Sequence, residues 1–245
     1  MARSVVVTGA SSGIGRAVAE RFLDAGWKVA LVARRAALLE EVARGRPGAL
    51  VQVCDVTDEA AVEAAFAAAA GRFGRIDVLF NNAGLMRPAA LIDEMPVADW
   101  REMVEVNLTG MFLCARAAFR QMRRQEPQGG RIINNGSVSA QAPRPGSAAY
   151  TATKHAVSGL TRTIALDGRP FAIACGQIDI GNARTALSAQ IAAGVPQADG
   201  SLRPEPMMAV AEVAEAVLSM ASLPLSTNIL QMTIMASAMP LVGRG

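Results

Sequence analysis

The stretch Ser4-Val5-Val6-Val7-Thr8-Gly9-Ala10-Ser11-Ser12-Gly13-Ile14-Gly15 decides the fold. Val5 to Val7 are β-branched and uninterrupted by charge, the mark of a buried strand. From Gly13 to Ala25 the apolar residues fall at helical spacing. Between strand and helix the glycines run G-x-x-x-G-x-G, which lets the backbone turn tightly and come close to a pyrophosphate. The helix N-terminus adds free N–H groups and the positive end of its dipole. A plain tight turn accounts for one of these glycines but not for three. A nucleotide site is therefore expected at this junction.

The same alternation continues along the chain. Strands are expected at Val29–Ala33, Ala49–Val53, Ile76–Phe80, Arg131–Asn134, Phe171–Ala174 and Ile229–Ile234. Helices are expected at Arg35–Arg44, Glu59–Arg72, within Ala98–Arg124, at Ala148–Asp167 and at Val210–Ala221. Apolar strands alternating with helices imply an α/β, Rossmann-like, doubly wound sheet, seven-stranded and mainly parallel, with helices on both faces. Residues 1–245 read as one domain. Residues 176–206, rich in Gly, Pro, Ala and Gln, read as a lid-like segment beyond a strand end. The apolar tail, residues 235–245, reads as a surface for a neighbouring subunit.

Composition excludes several classes. The 245 residues are 51% hydrophobic and 18% charged, which fits a compact enzyme and not a disordered chain. No apolar run is long enough to span a membrane, and a strand starting at Ser4 leaves no room for a signal peptide; a cytoplasmic protein is expected. Three widely spaced cysteines and a single histidine argue for reduced thiols and against a metal site. Net charge is only +3, and Arg120, Arg123 and Arg124 read as a solvated helix end, so no nucleic-acid or membrane partner is expected.

The end of the second strand, Val32-Ala33-Arg34-Arg35, bears on the cofactor. A dinucleotide-binding unit commonly has an acid there to hold a ribose 2′-hydroxyl, whereas an arginine accommodates a 2′-phosphate. Ala33 followed by Arg34 therefore points to NADP(H) over NAD. The chain also has one tyrosine, Tyr150, and only two lysines, Lys28 and Lys154. Tyr150 and Lys154 stand one helical turn apart on one face, and Ser137 lies 13 residues before the tyrosine, after a predicted strand. A free phenol ionises near pH 10, and an ammonium beside it favours the phenolate needed for proton transfer near neutrality.

Together these residues resemble the short-chain dehydrogenase/reductase family. The resemblance runs through Thr8–Gly15, Asp55-Val56, Asn81-Asn82-Ala83-Gly84, Asn107, Ser137 and Tyr150–Lys154, in that order along the chain. It implies that Tyr150 moves the proton, Ser137 binds the substrate oxygen, Lys154 holds the nicotinamide ribose and favours the phenolate, and Asn107 orders a relay water. It implies cofactor contacts from Gly9, Ser11, Ser12, Gly13, Ile14, Gly15, Arg34, Asp55, Val56, Asn82, Ala83, Gly84, Tyr150, Lys154, Gly176 and Ile178. Asn81 is expected only to bond backbone between strands. His155 points about 100° away from Lys154 around the helix and is assigned to packing or surface. Ser139 lacks the 13-residue spacing.

This sequence also departs from the family pattern. Cys175-Gly176 is read where the family has Pro-Gly, with a shortened segment before it. Ile180 is read in place of a threonine that bonds the carboxamide, leaving Asn182 or Thr185 as replacements. Gln177, Asp179, Asn182 and Arg184 on the lid, with Met86, Arg87, Gln141 and Arg144 opposite, fit a polar ketone or an anionic ligand. A homodimer or homotetramer is implied. The expected activity is hydride transfer between NADP(H) and a carbonyl or secondary alcohol. The alternatives are a non-catalytic NADP-binding sensor or scaffold, which should have lost one of Ser137, Tyr150 and Lys154, and an epimerase or dehydratase, which fits the glycine spacing poorly.

Overall fold

The computed structural model describes residues 2–185, 188, 194–197 and 199–241. Its centre is made by the apolar runs: β1 (Ser4–Thr8), β2 (Lys28–Ala33), β3 (Ala49–Val53), β4 (Val78–Asn81), β5 (Gly130–Asn135) and β6 (Ile173–Ile180). A small antiparallel hairpin, β7 (Val195–Pro196) and β8 (Leu202–Arg203), precedes the last strand, β9 (Gln231–Ile234). The main sheet has the order β3-β2-β1-β4-β5-β6-β9, and every neighbouring pair is parallel. The strand order reverses direction between β1 and β4, so a crevice opens at their carboxyl ends, where such sheets place ligands.

The helices are α1 (Gly13–Asp24), α2 (Ala36–Ala43), α3 (Glu59–Phe73), α4 (Val97–Val104), α5 (Gly110–Arg124), α6 (Ala148–Asp167) and α7 (Val210–Ser222). Period-two alternation divides the core between the sheet faces. Val5, Val7 and Leu31 pack with Val18 and Phe22 of α1 and Val213 and Val217 of α7. Val6, Ala30, Leu79 and Ile132 pack with Phe66 of α3 and Cys114 and Met122 of α5. The alanine-rich α3 starts on Asp58, whose side chain accepts from the Ala61 amide, and stops at Gly74, whose φ of 86° suits glycine.

All seven expected sheet strands are present, but three segments differ from expectation. The helix within Ala98–Arg124 is interrupted by a π-helical turn, Glu105–Thr109, that separates α4 from α5. Phe171 belongs to a short 3-10 turn, and β6 continues to Ile180, so residues 176–180 are strand and not lid. The tail, residues 235–241, folds back on its own chain instead of presenting an open apolar strip. Met239 is buried, and its sulfur accepts from the Asn182 amide at 3.5 Å. The remaining tail residues, 242–245, and residues 186, 187, 189–193 and 198 of the expected lid lie outside the described residues.

The three cysteines are free and buried. Burial pushes the Cys54 thiol up to about 11, with help from Asp55 and Asp58. It pushes Cys175 up to about 12 and Cys114 upward as well. Thiols held so far above neutrality are poor nucleophiles. At pH 8 a disulfide reagent is expected to label none of the three in the native protein and all three after denaturation. Rapid labelling of the native chain would contradict this burial.

Candidate active site

The crevice at the strand ends is a cleft of about 440 Å³, and one side of it is the glycine-rich turn. Gly9 adopts φ 68° and Gly13 φ 55°. A Cβ on Gly15 would sit 2.3 Å from the Gly9 carbonyl oxygen, so only hydrogen fits there. Thr8 anchors the opposite lip: its hydroxyl accepts from the Asn82 and Ala83 amides at 2.8 and 2.9 Å. The Asn82 side chain donates to the Thr8 carbonyl at 2.9 Å and accepts from Asn135 at 2.8 Å. Three strand ends are thereby tied together around the turn. Asn81, by contrast, is buried and donates to the Met111 carbonyl at 2.7 Å, so it bonds the backbone of α5 and not, as expected, backbone between strands.

At the far end of the cleft from β6, Arg34 extends into solvent 3.7 Å from Asp55. Burial opposes ionisation of Asp55, but bonds from Thr57 and the Arg34 charge outweigh it and hold the carboxyl below its ordinary value. Arg35, not singled out from the sequence, donates to the Ser11 and Ser12 hydroxyls at 2.8 and 2.7 Å. Both arginines line the cleft, next to Val56 and the glycine turn. The signal for Arg35 was its place at the N-cap of α2, directly after Arg34.

Ser137, Tyr150 and Lys154 line the same cleft from the β5–α6 side. The first turn of α6 presents Tyr150, and one turn later the buried Lys154 brings its Nζ 5.6 Å from the Tyr150 ring centroid. The ammonium donates to the Asn135 carbonyl at 2.7 Å, so it is held by backbone and not by an acid. Ser137 caps a 3-10 turn, its Oγ accepting from the Ser139 amide at 3.1 Å. The bond uses the Ser139 backbone only, and Ser139 also lines the cleft. His155 is exposed and bonds the Thr151 carbonyl at 2.9 Å, on another side of the helix. Asn107 lies in the π-helical turn, buried, and grips Leu85 through both atoms of its amide, at 2.7 and 2.9 Å. The extra residue of a π turn is what swings this amide to Leu85 and Gly84.

Two expected contacts are corrected. Gly176 and Ile178 lie inside β6, not at its end, and neither lines the cleft. A Cβ on Gly176 would meet the Ile229 carbonyl at 2.1 Å, and Ile178 belongs to the buried core. The strand instead delivers Ile180, Gly181, Asn182 and Ala183 to the cleft, followed by Thr185. A Cβ on Gly13 would meet the Thr185 methyl at 3.3 Å, so Thr185 stands beside the glycine turn. Ile180-Gly181 thus occupies the place given to Cys175-Gly176, and the apparent shortening before it disappears. Gln177 and Asp179 are likewise buried in the strand and do not belong to a lid.

A family model for the short chain dehydrogenase matches residues 3–195. The chain belongs to the short-chain dehydrogenase family. Like other short-chain dehydrogenases it is an oxidoreductase acting between CH–OH and C=O. Over 198 residues it is 37% identical to a 3beta-hydroxysteroid dehydrogenase of Mediterraneibacter gnavus, covering 78% of this chain and 70% of that one. A 3-ketoacyl-(acyl-carrier-protein) reductase from Brucella melitensis, solved with NADH, superposes with a TM-score of 0.86 at 28% identity, covering 96% and 98% of the two chains. An alcohol dehydrogenase from Thermococcus sibiricus, solved with 5-hydroxy-NADP, gives 0.83 at 26% identity, covering 97% and 98%. Among the described residues no group of His, Cys, Asp or Glu is arranged to hold a metal, and no helix is long and apolar enough to cross a membrane.

Proposed function

We propose that this chain catalyses reversible hydride transfer between NADP(H) and a carbonyl or secondary alcohol, with Tyr150 as general acid and base. The observation that carries this reading is the meeting of Ser137, Tyr150 and Lys154 with the glycine-rich turn in one cleft. The dinucleotide fits the residues present. Gly15 leaves no room for a side chain, Gly13 takes a left-handed conformation, and α1 points its N-terminus at the turn. When bound, the nicotinamide supplies or accepts the hydride. Lys154 would hold its ribose, and Asp55, Val56, Asn82, Ala83 and Gly84 would line its path. Thr185 and the backbone of Ile180–Ala183, which line the cleft, would serve as carboxamide partners in place of Gly176 and Ile178.

On the substrate side, Ser137 Oγ–H donates to the reacting oxygen, and the Tyr150 hydroxyl gives that oxygen its proton in the reductive direction. The Lys154 ammonium stabilises the phenolate left behind. Asn107, bonded to Leu85, fixes the wall beside Gly84 and supports a proton path away from Lys154. A sensor or scaffold has no need of all three reacting side chains, and all three are retained. Exposed Trp100 on α4 and Phe112 on α5 support a homo-oligomer, a homodimer or homotetramer.

Arg34 and Arg35, with no acid at Ala33, favour a 2′-phosphate. NADPH is expected to bind more tightly than NADH in fluorescence titrations. Arg34→Ala is expected to raise the NADPH dissociation constant about tenfold, one charge-assisted hydrogen bond's worth, and leave NADH within about twofold. Tighter binding of NADH by the unaltered protein would overturn the NADP assignment. The activity itself is tested by NADPH oxidation across a panel of aldehydes and ketones. Absence of turnover with any of them, despite NADPH binding, would favour the sensor.

A further inference from the structure

We infer that the turn after β9, residues 235–239, backs the nicotinamide end of the cleft, with Met239 as the positioning residue that fixes Gly181 and Asn182. The inference rests on the proposed NADP(H) reading and adds to it a segment that does not itself line the cleft. β6 ends at Ile180, and Gly181, Asn182 and Ala183 line the cleft beyond the end of the strand. The Gly181 amide donates to the Ile234 carbonyl at 2.8 Å, and the Asn182 carbonyl accepts from the Met208 amide at 2.9 Å. The Asn182 amide is placed differently. It donates to the Met239 sulfur at 3.5 Å, and among the described residues it has no oxygen acceptor. A thioether is a weak acceptor, but Asn182 is only 3% exposed, and a buried N–H left without any partner is costly.

The path of the chain after β9 brings that sulfur into place. Met235 is followed by a turn from Ala236 to Met239, closed by the Met239 amide donating to the Ala236 carbonyl at 2.9 Å. The turn returns Met239 to the end of β6, where it is buried. A Cβ on Gly181 would lie 2.7 Å from Met235 Cβ and 2.8 Å from the Met239 sulfur. Glycine at 181 is therefore what lets the turn close on the backbone of the cleft wall. Met239 acts there in two ways, as a stop against Gly181 and as the acceptor for Asn182.

The Asn182 side chain is committed elsewhere. Its oxygen accepts from Arg144 at 2.8 Å, and its NH2 donates to Glu205 at 2.8 Å and to the Pro206 carbonyl at 3.3 Å. These bonds leave carboxamide binding to Thr185 and to the backbone that Met239 fixes. They also tie Asn182 to the loop before Tyr150, so a shift of its backbone reaches both walls of the cleft. The adenosine end is held by other bonds. Thr8 with Asn82 and Ala83, and Arg35 with Ser11 and Ser12, make no contact with the turn after β9. Loss of Met239 should therefore be felt at one end of the cofactor only.

The test compares NADPH with adenosine 2′,5′-bisphosphate, which carries the adenosine and the 2′-phosphate but no nicotinamide. In the full chain, Met239→Ala is expected to raise the NADPH dissociation constant about tenfold and to lower kcat about tenfold with the best carbonyl of the panel. Adenosine 2′,5′-bisphosphate is expected to bind that variant within about twofold of the unaltered protein. An equal loss of affinity for the bisphosphate would show a general loosening of the fold and overturn the inference. NADPH affinity and kcat both within about twofold of the unaltered protein would overturn it as well, with the oxidoreductase reading left standing. If Met239→Ala fails to fold, Met239→Leu decides the matter, since it keeps most of the volume and loses the acceptor. It is expected to weaken NADPH about threefold and the bisphosphate not at all, and unchanged NADPH binding would overturn the inference. Failure of the unaltered protein to bind NADPH would instead bring down the cofactor reading, and this inference with it.

Discussion

Tyr150→Phe is expected to lower kcat by about 10²- to 10⁴-fold, the range that positioned proton transfer supplies, while NADPH binds within about twofold of the unaltered protein. The variant removes one oxygen from a half-buried side chain at the start of α6. The ring remains, so its contact with the Lys154 ammonium and the packing of the helix are kept. Lys154 is held by the Asn135 carbonyl and not by the phenol, which leaves its ribose-binding position intact. What is lost is the only tyrosine hydroxyl in the chain. Nearby side chains offer no equivalent phenol: Ser139 has only an aliphatic hydroxyl, far less acidic than a phenol, and His155 is exposed and bonds the Thr151 carbonyl. Steady-state rates with the best carbonyl of the panel, together with a fluorescence titration of NADPH, check both halves. Turnover near that of the unaltered protein would rule out Tyr150 as the proton donor.

The parts of this site that were legible in the sequence are those whose chemistry is local. The glycine turn is written in three residues that cannot carry side chains, and the Tyr150–Lys154 face follows from helical spacing alone. The seven strands were legible because parallel strands buried on both faces read as short apolar runs. β6 defeated that reading. Its second half, Gly176-Gln177-Ile178-Asp179-Ile180, alternates apolar with amide and carboxylate, and it begins with a glycine that ordinarily weakens a strand. Only the fold shows that the Ile229 carbonyl crowds Gly176, and that α6 and the turn after β5 supply partners for Gln177 and Asp179. Because β6 runs on to Ile180 and not only to Ala174, the glycine after its end is Gly181, five residues beyond Gly176, and Gly181 and Ala183 line the cleft where the sequence pattern points to Gly176 and Ile178. Arg35 is hidden in the sequence for a different reason. Its reach back to Ser11 and Ser12 depends on how α2 leaves β2, which local spacing does not encode.

The buried run through β6 carries the second large effect. Asn81, Asn134, Thr161, Gln177 and Asp179 form a chain of hydrogen bonds from the Met111 carbonyl to the Ser137 amide. Gly136 is part of the same fit, since a Cβ there would lie 2.0 Å from Asp179 Oδ1. Asp179→Ala removes the acceptor on which the Ser137 amide and three glutamine side chains converge. Each donor stranded in the interior costs about 1–3 kcal/mol, although the glutamine amides can turn to recover part of it. A net loss of about 2–4 kcal/mol corresponds to a fall in Tm on the order of 10 °C for a chain of this length. Ser137 also loses the bond that fixes its backbone, and a displacement of about 1 Å at a reacting group costs about 10²-fold in rate. We therefore expect kcat to fall about 10²-fold, with the NADPH dissociation constant unchanged because Asp179 touches none of the cofactor-lining turn. Asp179→Asn separates positioning from charge. Its carbonyl can still accept from Ser137 and Gln177, while its NH2 meets Gln141 and Gln231 once their amides rotate to offer oxygen. That variant is expected to recover most of kcat and Tm, and thermal melts alongside steady-state kinetics measure both. A kcat for Asp179→Ala equal to that of the unaltered protein, in a protein that still folds, would show that Ser137 holds its place without the carboxylate beneath it.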